Sequence, residues 1–223
     1  MPDPIILLTR PQAAAERFAA QVAALGGACV IAPLMRIVPV THDAARLRAA
    51  RRLVLTSVHA VPAAGPGAGR QAFCVGPATA EAARAAGFAV IEGPGDAARL
   101  GPMLTGETGL LHPHGRHVTA GLPVEGMVVY DQIAVPLPES GCAALAGTRP
   151  VLWPLFSPRS ARLAARALAD AGATAPVVPL AISAAAATAF GPWPAPIAVA
   201  ATPDAEGLLA LIRQRLVARA AGR

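Results

Sequence analysis

FCVGPATAEAARAAGFAV, residues 73–90, reads as strand, turn, helix, turn, strand. The apolar run Phe73-Cys74-Val75 stops at Gly76-Pro77, Thr79 opens a segment with Ala and Glu/Arg at helical spacing, and Gly87 ends it before the next apolar run. A turn of this kind leaves backbone N–H groups unpaired at the start of the helix, aimed beyond the strand end. The spacing predicts parallel β-α-β units throughout the chain.

Upstream, Ile5–Leu8 is a buried-type strand ending at Thr9-Arg10-Pro11, Ala13–Leu25 a helix closed by Gly26-Gly27, and Ala28–Ala32 a strand. Pro33–Thr41 is extended and punctuated by proline, a connector. Ala44–Arg52 is a helix, Leu53–Leu55 a strand ending at Thr56-Ser57, and Val58–Ala64 the start of another helix. Downstream come a helix from Asp96 to Leu104, a strand at Leu110–His112 ending at Pro113-His114-Gly115-Arg116, a short helical piece, and a strand at Met127–Tyr130. Asp131–Pro138 is a second extended connector. Val151–Phe156, Val177–Ile182 and Ile197–Ala200 are strands alternating with helices over Ser160–Ala171 and Ser183–Phe190, and Thr202-Pro203-Asp204 leads into a last helix to Arg219.

The scheme repeats at a spacing of about 100 residues, the size of a small domain. Thr56-Ser57 pairs with Phe156-Ser157, Val75-Gly76 with Ile182-Ser183, Gly95-Asp96-Ala97 with Pro203-Asp204-Ala205, and Ile6–Thr9 with Leu110–Pro113. The connectors pair through Ile37-Val38-Pro39 and Ala134-Val135-Pro136. The expected fold is therefore α/β, with two similar doubly wound parallel-sheet domains of flavodoxin or Rossmann-like type. Such sheets bind ligands outside the carboxyl ends of their strands.

Composition excludes several classes. At 223 residues, 54% hydrophobic and 14% charged, the chain is globular and not disordered. It contains no Lys, so its net charge of +6 is carried by Arg, which favours anionic partners. No basic run with interleaved aromatics points to nucleic acid. Cys29, Cys74 and Cys142 lack metal-ligand spacing and are expected to be free thiols in a reducing compartment. Residues 172–203 carry no charge, but Pro176, Pro179, Pro192, Pro194 and Pro196 cut the run into pieces too short to cross a membrane as one helix. MPDPIILLTR lacks the basic start and apolar run of a signal peptide. A cytoplasmic chain is expected.

Leu55-Thr56-Ser57 followed by Ala60-Val61, Val75-Gly76-Pro77-Ala78-Thr79-Ala80, Val129-Tyr130-Asp131, Phe156-Ser157-Pro158, Ala181-Ile182 and Thr202-Pro203-Asp204-Ala205-Glu206-Gly207-Leu208 together resemble uroporphyrinogen-III synthases, in that family's order along nearly the whole chain. The resemblance implies two α/β domains joined by a two-stranded linker. Residues 1–36 would join 139–223 in a discontinuous domain, 42–129 would form an inserted one, and 37–41 with 130–138 would be the linker. It implies a cofactor-free, cyclising lyase reaction in the cleft between the domains. Hydroxymethylbilane loses its terminal hydroxyl, the last pyrrole attacks through its substituted carbon, and a spiro intermediate recloses with that ring inverted. An enzyme of this kind would mostly hold one geometry, with acid help to a poor leaving group. A monomer acting on a small molecule is expected, with neither nucleic acid nor membrane as partner. The alternatives are a non-catalytic two-domain binder of a small polyanion and a nucleotide-dependent α/β enzyme.

By the resemblance Tyr130, the only tyrosine, donates a hydrogen bond to the departing hydroxyl. Without it, Tyr130 reads as a linker aromatic over apolar surface. Gly76 and Thr79 would hold a substrate carboxylate at a helix start, and otherwise form an ordinary cap. Thr9, Ser57, Ser157 and Ser183 share that dual reading. The family usually has glycine in place of Ser183 and threonine in place of Ala186. Arg10, Arg116 and Arg159 follow strand ends and suit bidentate pairing with carboxylates, or are solvated surface residues. His112, His114 and His117 lack a carboxylate or Cys at ligand spacing, so no metal is expected; His114-Gly115 is expected to line the cleft. Gly65-Pro66-Gly67-Ala68-Gly69 precedes its strand, where a phosphate would meet no helix start, and reads as a turn.

Overall fold

The computed structural model describes residues 2–118 and 121–220. Its strands are β1 (Ile5–Leu8), β2 (Ala28–Ile31), β3 (Met35–Pro39), β4 (Arg52–Leu55), β5 (Gln71–Cys74), β6 (Ala89–Glu92), β7 (Leu110–Gly115), β8 (Glu125–Ala134), β9 (Val151–Leu155), β10 (Val177–Ala181) and β11 (Ala198–Val199). The helices are α1 (Gln12–Ala23), α2 (Ala44–Ala49), α3 (Val61–Ala64), α4 (Pro77–Ala85), α5 (Ala97–Met103), α6 (Glu139–Ala146), α7 (Pro158–Ala171), α8 (Ala184–Phe190) and α9 (Ala205–Ala220). The chain divides into a discontinuous unit, residues 1–36 with 134–223, and an inserted unit, Ile37–Ile133.

In the discontinuous unit the sheet runs β11-β10-β9-β1-β2, every neighbouring pair parallel. Alternation along β1 sends Leu7 to one face, with Trp153, Leu155 and Ala181. Ile6 and Leu8 go to the other, with Phe18, Leu152 and Leu180. Both faces are buried, as a parallel sheet flanked by crossover helices requires. The inserted unit runs β3-β8-β7-β4-β5-β6, with β4, β5, β6, β7 and β8 joined by parallel ladders. Leu53, Leu55 and Leu111 enter one core face, Val54 and Phe73 the other.

The repeat seen in the sequence is a repeat of the sheet. With β9, β10, β11, β1 and β2 matched to β4, β5, β6, β7 and β8, the spatial orders coincide strand for strand. The last two members of one unit are the first two of the other in chain order. Strand order therefore reverses in each unit between the first strand and its neighbour on the opposite side, β4 beside β7 and β9 beside β1. At both places the ladder is short. It holds Arg52↔Leu110 and Leu53↔Leu111 in one unit, Ile5↔Val151 and Ile6↔Leu152 in the other. Beyond these pairs the strands run on toward their carboxyl ends past the registered ladder.

Several elements differ from expectation. Pro113 does not end its strand but lies inside β7, opposite Met127 of β8; it falls beyond the β4 ladder, where its missing N–H costs no hydrogen bond on that side. Pro33–Thr41 is more than a connector, since residues 35–39 form β3, and residues 131–134 continue β8. No helix forms over residues 116–118 and 121–124, where Gly121 and Pro123 break it; the rest of the expected helical piece lies outside the described residues. Helix α6 was not expected: it has Pro138 as N-cap, no side-chain cap, and glycine within it. The Gly65–Gly69 segment is a turn, with Gly69 at positive φ, its backbone zipped to the next turn through Gly67 N–H to Ala86 O and Gly69 N–H to Gly87 O.

Among the described residues no helix is long and apolar enough to cross a membrane. Cys29, Cys74 and Cys142 are free thiols, and burial pushes the first two up to about 11.

Candidate active site

A cavity of about 370 Å³ opens at the carboxyl ends of the inserted unit's strands, at the point where strand order reverses. Thr56 and Ser57 enter it from the end of β4, Val75 from β5, Asp96 from the turn after β6, and His112, His114 and Gly115 from the carboxyl half of β7. Tyr130 and Gln132 close it from β8.

Tyr130 is seated on Gly115. A Cβ at residue 115 would lie 2.5 Å from Tyr130 Cε2, 2.6 Å from Cζ and 2.9 Å from the hydroxyl oxygen, so only glycine lets the ring occupy this place. Arg116 N–H donates to Tyr130 O at 2.9 Å, just past the register shift between His114 and Gly115. The His59 ring meets the phenol edge-on, centroids 5.7 Å apart. The phenol is 6% exposed yet forms part of the cavity wall, so it presents a localised polar tip on a rigid apolar seat.

Two residues apart on β7, His112 and His114 lie with ring centroids 4.8 Å apart. Buried His112 places Nε2 2.9 Å from Thr56 Oγ1. Burial, with His114 beside it, pushes its imidazole down to about 4, so the ring is neutral at physiological pH. His114 Nδ1 lies 2.8 Å from Gly115 O, a contact in which the ring N–H donates. At the rim Asp131 receives Arg116 Nε at 2.9 Å, and His117 Nε2 stands 3.3 Å away. Desolvation pushes the Asp131 carboxyl up, but the Gln132 N–H and Arg116 outweigh it and hold the acid below its ordinary range.

The remaining residues singled out in the sequence take other places. Gly76 is the N-cap of α4, and no side chain caps that helix. Its backbone packs on Gly95, where a Cβ at residue 76 would lie 3.0 Å from Gly95 Cα. The Thr79 side chain is buried, and neither residue lines the cavity, which Val75 reaches instead. Ser57 accepts from His59 N–H at 3.2 Å. In the discontinuous unit Ser157 accepts from Ser160 N–H in a reciprocal capping box on α7, and Ser183 accepts from Ala186 N–H at the start of α8. All three follow strand ends; Ser157 Oγ donates to Ser160 Oγ at 3.1 Å, whereas the capping hydroxyls of Ser57 and Ser183 keep their own protons to donate. Thr9 is 2% exposed and accepts from Trp153 Nε1 at 3.1 Å. The Arg10 guanidinium stacks over Phe156, 4.1 Å from the ring centroid. Burial and Arg17 bring it down to about 10, still cationic at neutral pH.

Sequence reasoning passed over Thr56, His112 as a wall residue, Asp96 and Gln132. Polar residues at or just beyond the ends of β4, β6 and β7 were the available signal, and only some were read; β5 has none, running from Cys74 into Val75-Gly76. Among the described residues no group of three or more His, Cys, Asp or Glu could hold a metal ion.

A family model described as Uroporphyrinogen-III synthase HemD matches residues 16–210. No curated protein matches. Among solved structures, the chain is similar to uroporphyrinogen-III synthetase from Helicobacter pylori, with 16% identity over 96% of this chain and 100% of that one and a TM-score of 0.62. It is also similar to a mutant uroporphyrinogen III synthase from the extremely thermophilic bacterium Thermus thermophilus, with 18% identity over 97% and 99% of the two chains and a TM-score of 0.52. At these identities the structures bear on the fold.

Proposed function

Because the chain belongs to the uroporphyrinogen-III synthase family, we propose that it cyclises hydroxymethylbilane to uroporphyrinogen III, losing water and inverting the last pyrrole ring, and that the reacting end lies in the cavity of the inserted unit. The observation that carries this reading is Tyr130 fixed on Gly115 in the cavity wall. A phenol held in one orientation can donate to the substrate's terminal hydroxyl as its carbon–oxygen bond breaks. The proton leaves with that hydroxyl as water, and the proton the last pyrrole sheds on regaining aromaticity restores the phenol. This is dehydration with ring closure, a lyase-type step.

Selection of the inverted product is a matter of geometry, since both closures use the same electrophile. The cavity has hydroxyls at Thr56 and Ser57, imidazoles from β7, and the phenol on its far side. It can fix a carboxylate-bearing pyrrole while the substituted carbon of the last ring meets the electrophile. Arg10, Ser157 and Ser183 at the strand ends of the discontinuous unit, and Arg116 in the inserted one, are proposed partners for further substrate carboxylates.

The test supplies freshly generated hydroxymethylbilane and resolves the porphyrinogen isomers. Excess inverted isomer is expected; the uninverted isomer alone sinks the reading and leaves a polyanion binder. In Tyr130→Phe, turnover is expected to fall about 10²-fold or more while the inverted isomer persists. Abolished activity in a folded Tyr130→Phe chain contradicts the role given to the phenol.

A further inference from the structure

We propose that His112 is a positioning residue, whose Nε2–H donates to Thr56 Oγ1 so that the Thr56 hydroxyl proton points into the cavity and, with the proton of Ser57, receives a substrate carboxylate. This deepens, and rests on, the cyclase reading.

The hydrogen bond lies where it can do this. Past Leu53↔Leu111 the β4–β7 ladder is over, and the 2.9 Å contact between His112 Nε2 and Thr56 Oγ1 ties the two strands together there. The discontinuous unit has a bond at the matching strand ends, Trp153 Nε1 to Thr9 Oγ1 at 3.1 Å. An indole N–H can only donate, so in that pair the threonine is the acceptor and keeps its proton. In the inserted unit the partners sit on the exchanged strands, the threonine after β4 and the ring on β7, and the same direction is assigned there, ring N–H to threonine oxygen. The difference is access. Thr9 and Trp153 are sealed at 2% and 0% exposure, whereas Thr56 lines the cavity.

The neighbouring hydroxyl fixes the ligand class. Ser57 Oγ accepts from His59 N–H, so each oxygen already accepts one bond and both protons remain to be donated. Two adjacent hydroxyl donors suit a carboxylate, which only accepts, and do not suit a pyrrole N–H, which only donates. Because His112 is neutral, one ring nitrogen carries the proton and the other does not, so the assignment is an observable.

In ¹⁵N-labelled protein, two-bond ¹H–¹⁵N spectra are expected to show His112 protonated at Nε2. Protonation at Nδ1 overturns the proposal and makes Thr56 the donor to the ring. Kinetically, Thr56→Val and His112→Leu should each raise KM about ten- to a hundredfold with kcat nearly unchanged. The double variant should be no worse than either single one, and His112→Gln, whose amide can still donate, should recover most of the loss. Unchanged KM in a folded His112→Leu chain, or additive losses in the double variant, overturns the proposal. If His112→Leu does not fold, the wild-type tautomer still decides. A wild-type chain that makes no inverted isomer sinks the cyclase reading whatever the tautomer, so the two failures are separable.

Discussion

Gly115 and Tyr130 act as one object, because the ring fills the space in which a Cβ would stand. Gly115→Ala keeps every polar group of the cavity but lifts the phenol off its seat. Overpacking of this kind costs about 1–3 kcal/mol, so a modest loss of stability is expected together with at least a tenfold loss of turnover. Adding Tyr130→Phe to Gly115→Ala should cost little more in turnover than Gly115→Ala alone; paired activity assays and urea melts check both points. His112 makes a separate prediction. Its imidazole is pushed from 6.5 to about 4 by burial and by His114, so between those values the unfolded chain binds more protons than the folded one. The associated stability is fully present above pH 6.5 and is lost as pH falls through about 4. A gap of that size corresponds to on the order of 3 kcal/mol. Urea melts at pH 7 and pH 4.5 should show the wild type losing more stability than His112→Gln over that interval; equal losses would contradict it.

At the scale of elements, the two ends of the inserted sheet divide the labour. The carboxyl ends hold the cavity, while the amino end of β5 is organised by Arg70. Its guanidinium donates to Leu47 O, Arg48 O and Ala50 O at the end of α2, and to Ala64 O and Pro66 O at the end of α3, and it stacks over Phe88. These are carbonyls that a helix C-terminus leaves without partners. Arg70→Met should therefore lower stability by about 2–3 kcal/mol and leave KM and kcat of the folded fraction unchanged; a changed KM would mean the two ends are coupled. Elements of this kind set what the sequence could tell. Val75-Gly76-Pro77 announced its turn because glycine and proline carry the backbone constraint themselves. Asp96 and Asp204 were legible at the starts of their helices, and both accept from a backbone N–H three residues on. Pro113 misled, because proline ends a strand only where its N–H is needed, and that depends on a partner strand far away in the chain. Helix α6 was silent for the opposite reason, since packing defines it and capping does not. In the cavity, Ser57, His114, Gly115 and Tyr130 could be picked out from strand ends and resemblance. Gly115's part in holding Tyr130 could not, because a contact between β7 and β8 is written in no local pattern.

For the whole molecule, the permuted repeat explains why one unit is continuous in sequence and the other is not. Five strands of each sheet share one spatial order, with β3 added at the edge of the inserted sheet, but β1 and β2 precede the insertion while β9, β10 and β11 follow it. The core clusters respect the division. Leu7 and Ile6 pack with residues from 145 onward in the discontinuous unit, and the clusters of the inserted unit draw only on residues between Ile37 and Tyr130. A segment with its own two-faced core and both ends at its boundary meets the physical requirement for folding alone. Residues 35–134 expressed by themselves should unfold cooperatively in urea and retain slow amide exchange in β4, β5 and β7, the strands at the centre of the sheet. Residues 1–34 should show neither property, because β1 is an inner strand whose neighbour β9 lies more than a hundred residues later, beyond the insertion. A disordered 35–134 fragment would mean that the inserted core is stable only with the remainder of the chain. The fragment also isolates the cavity: if His112 Nε2 and Thr56 Oγ1 keep their bond there, the His112 tautomer measured in the fragment should equal that in the full chain.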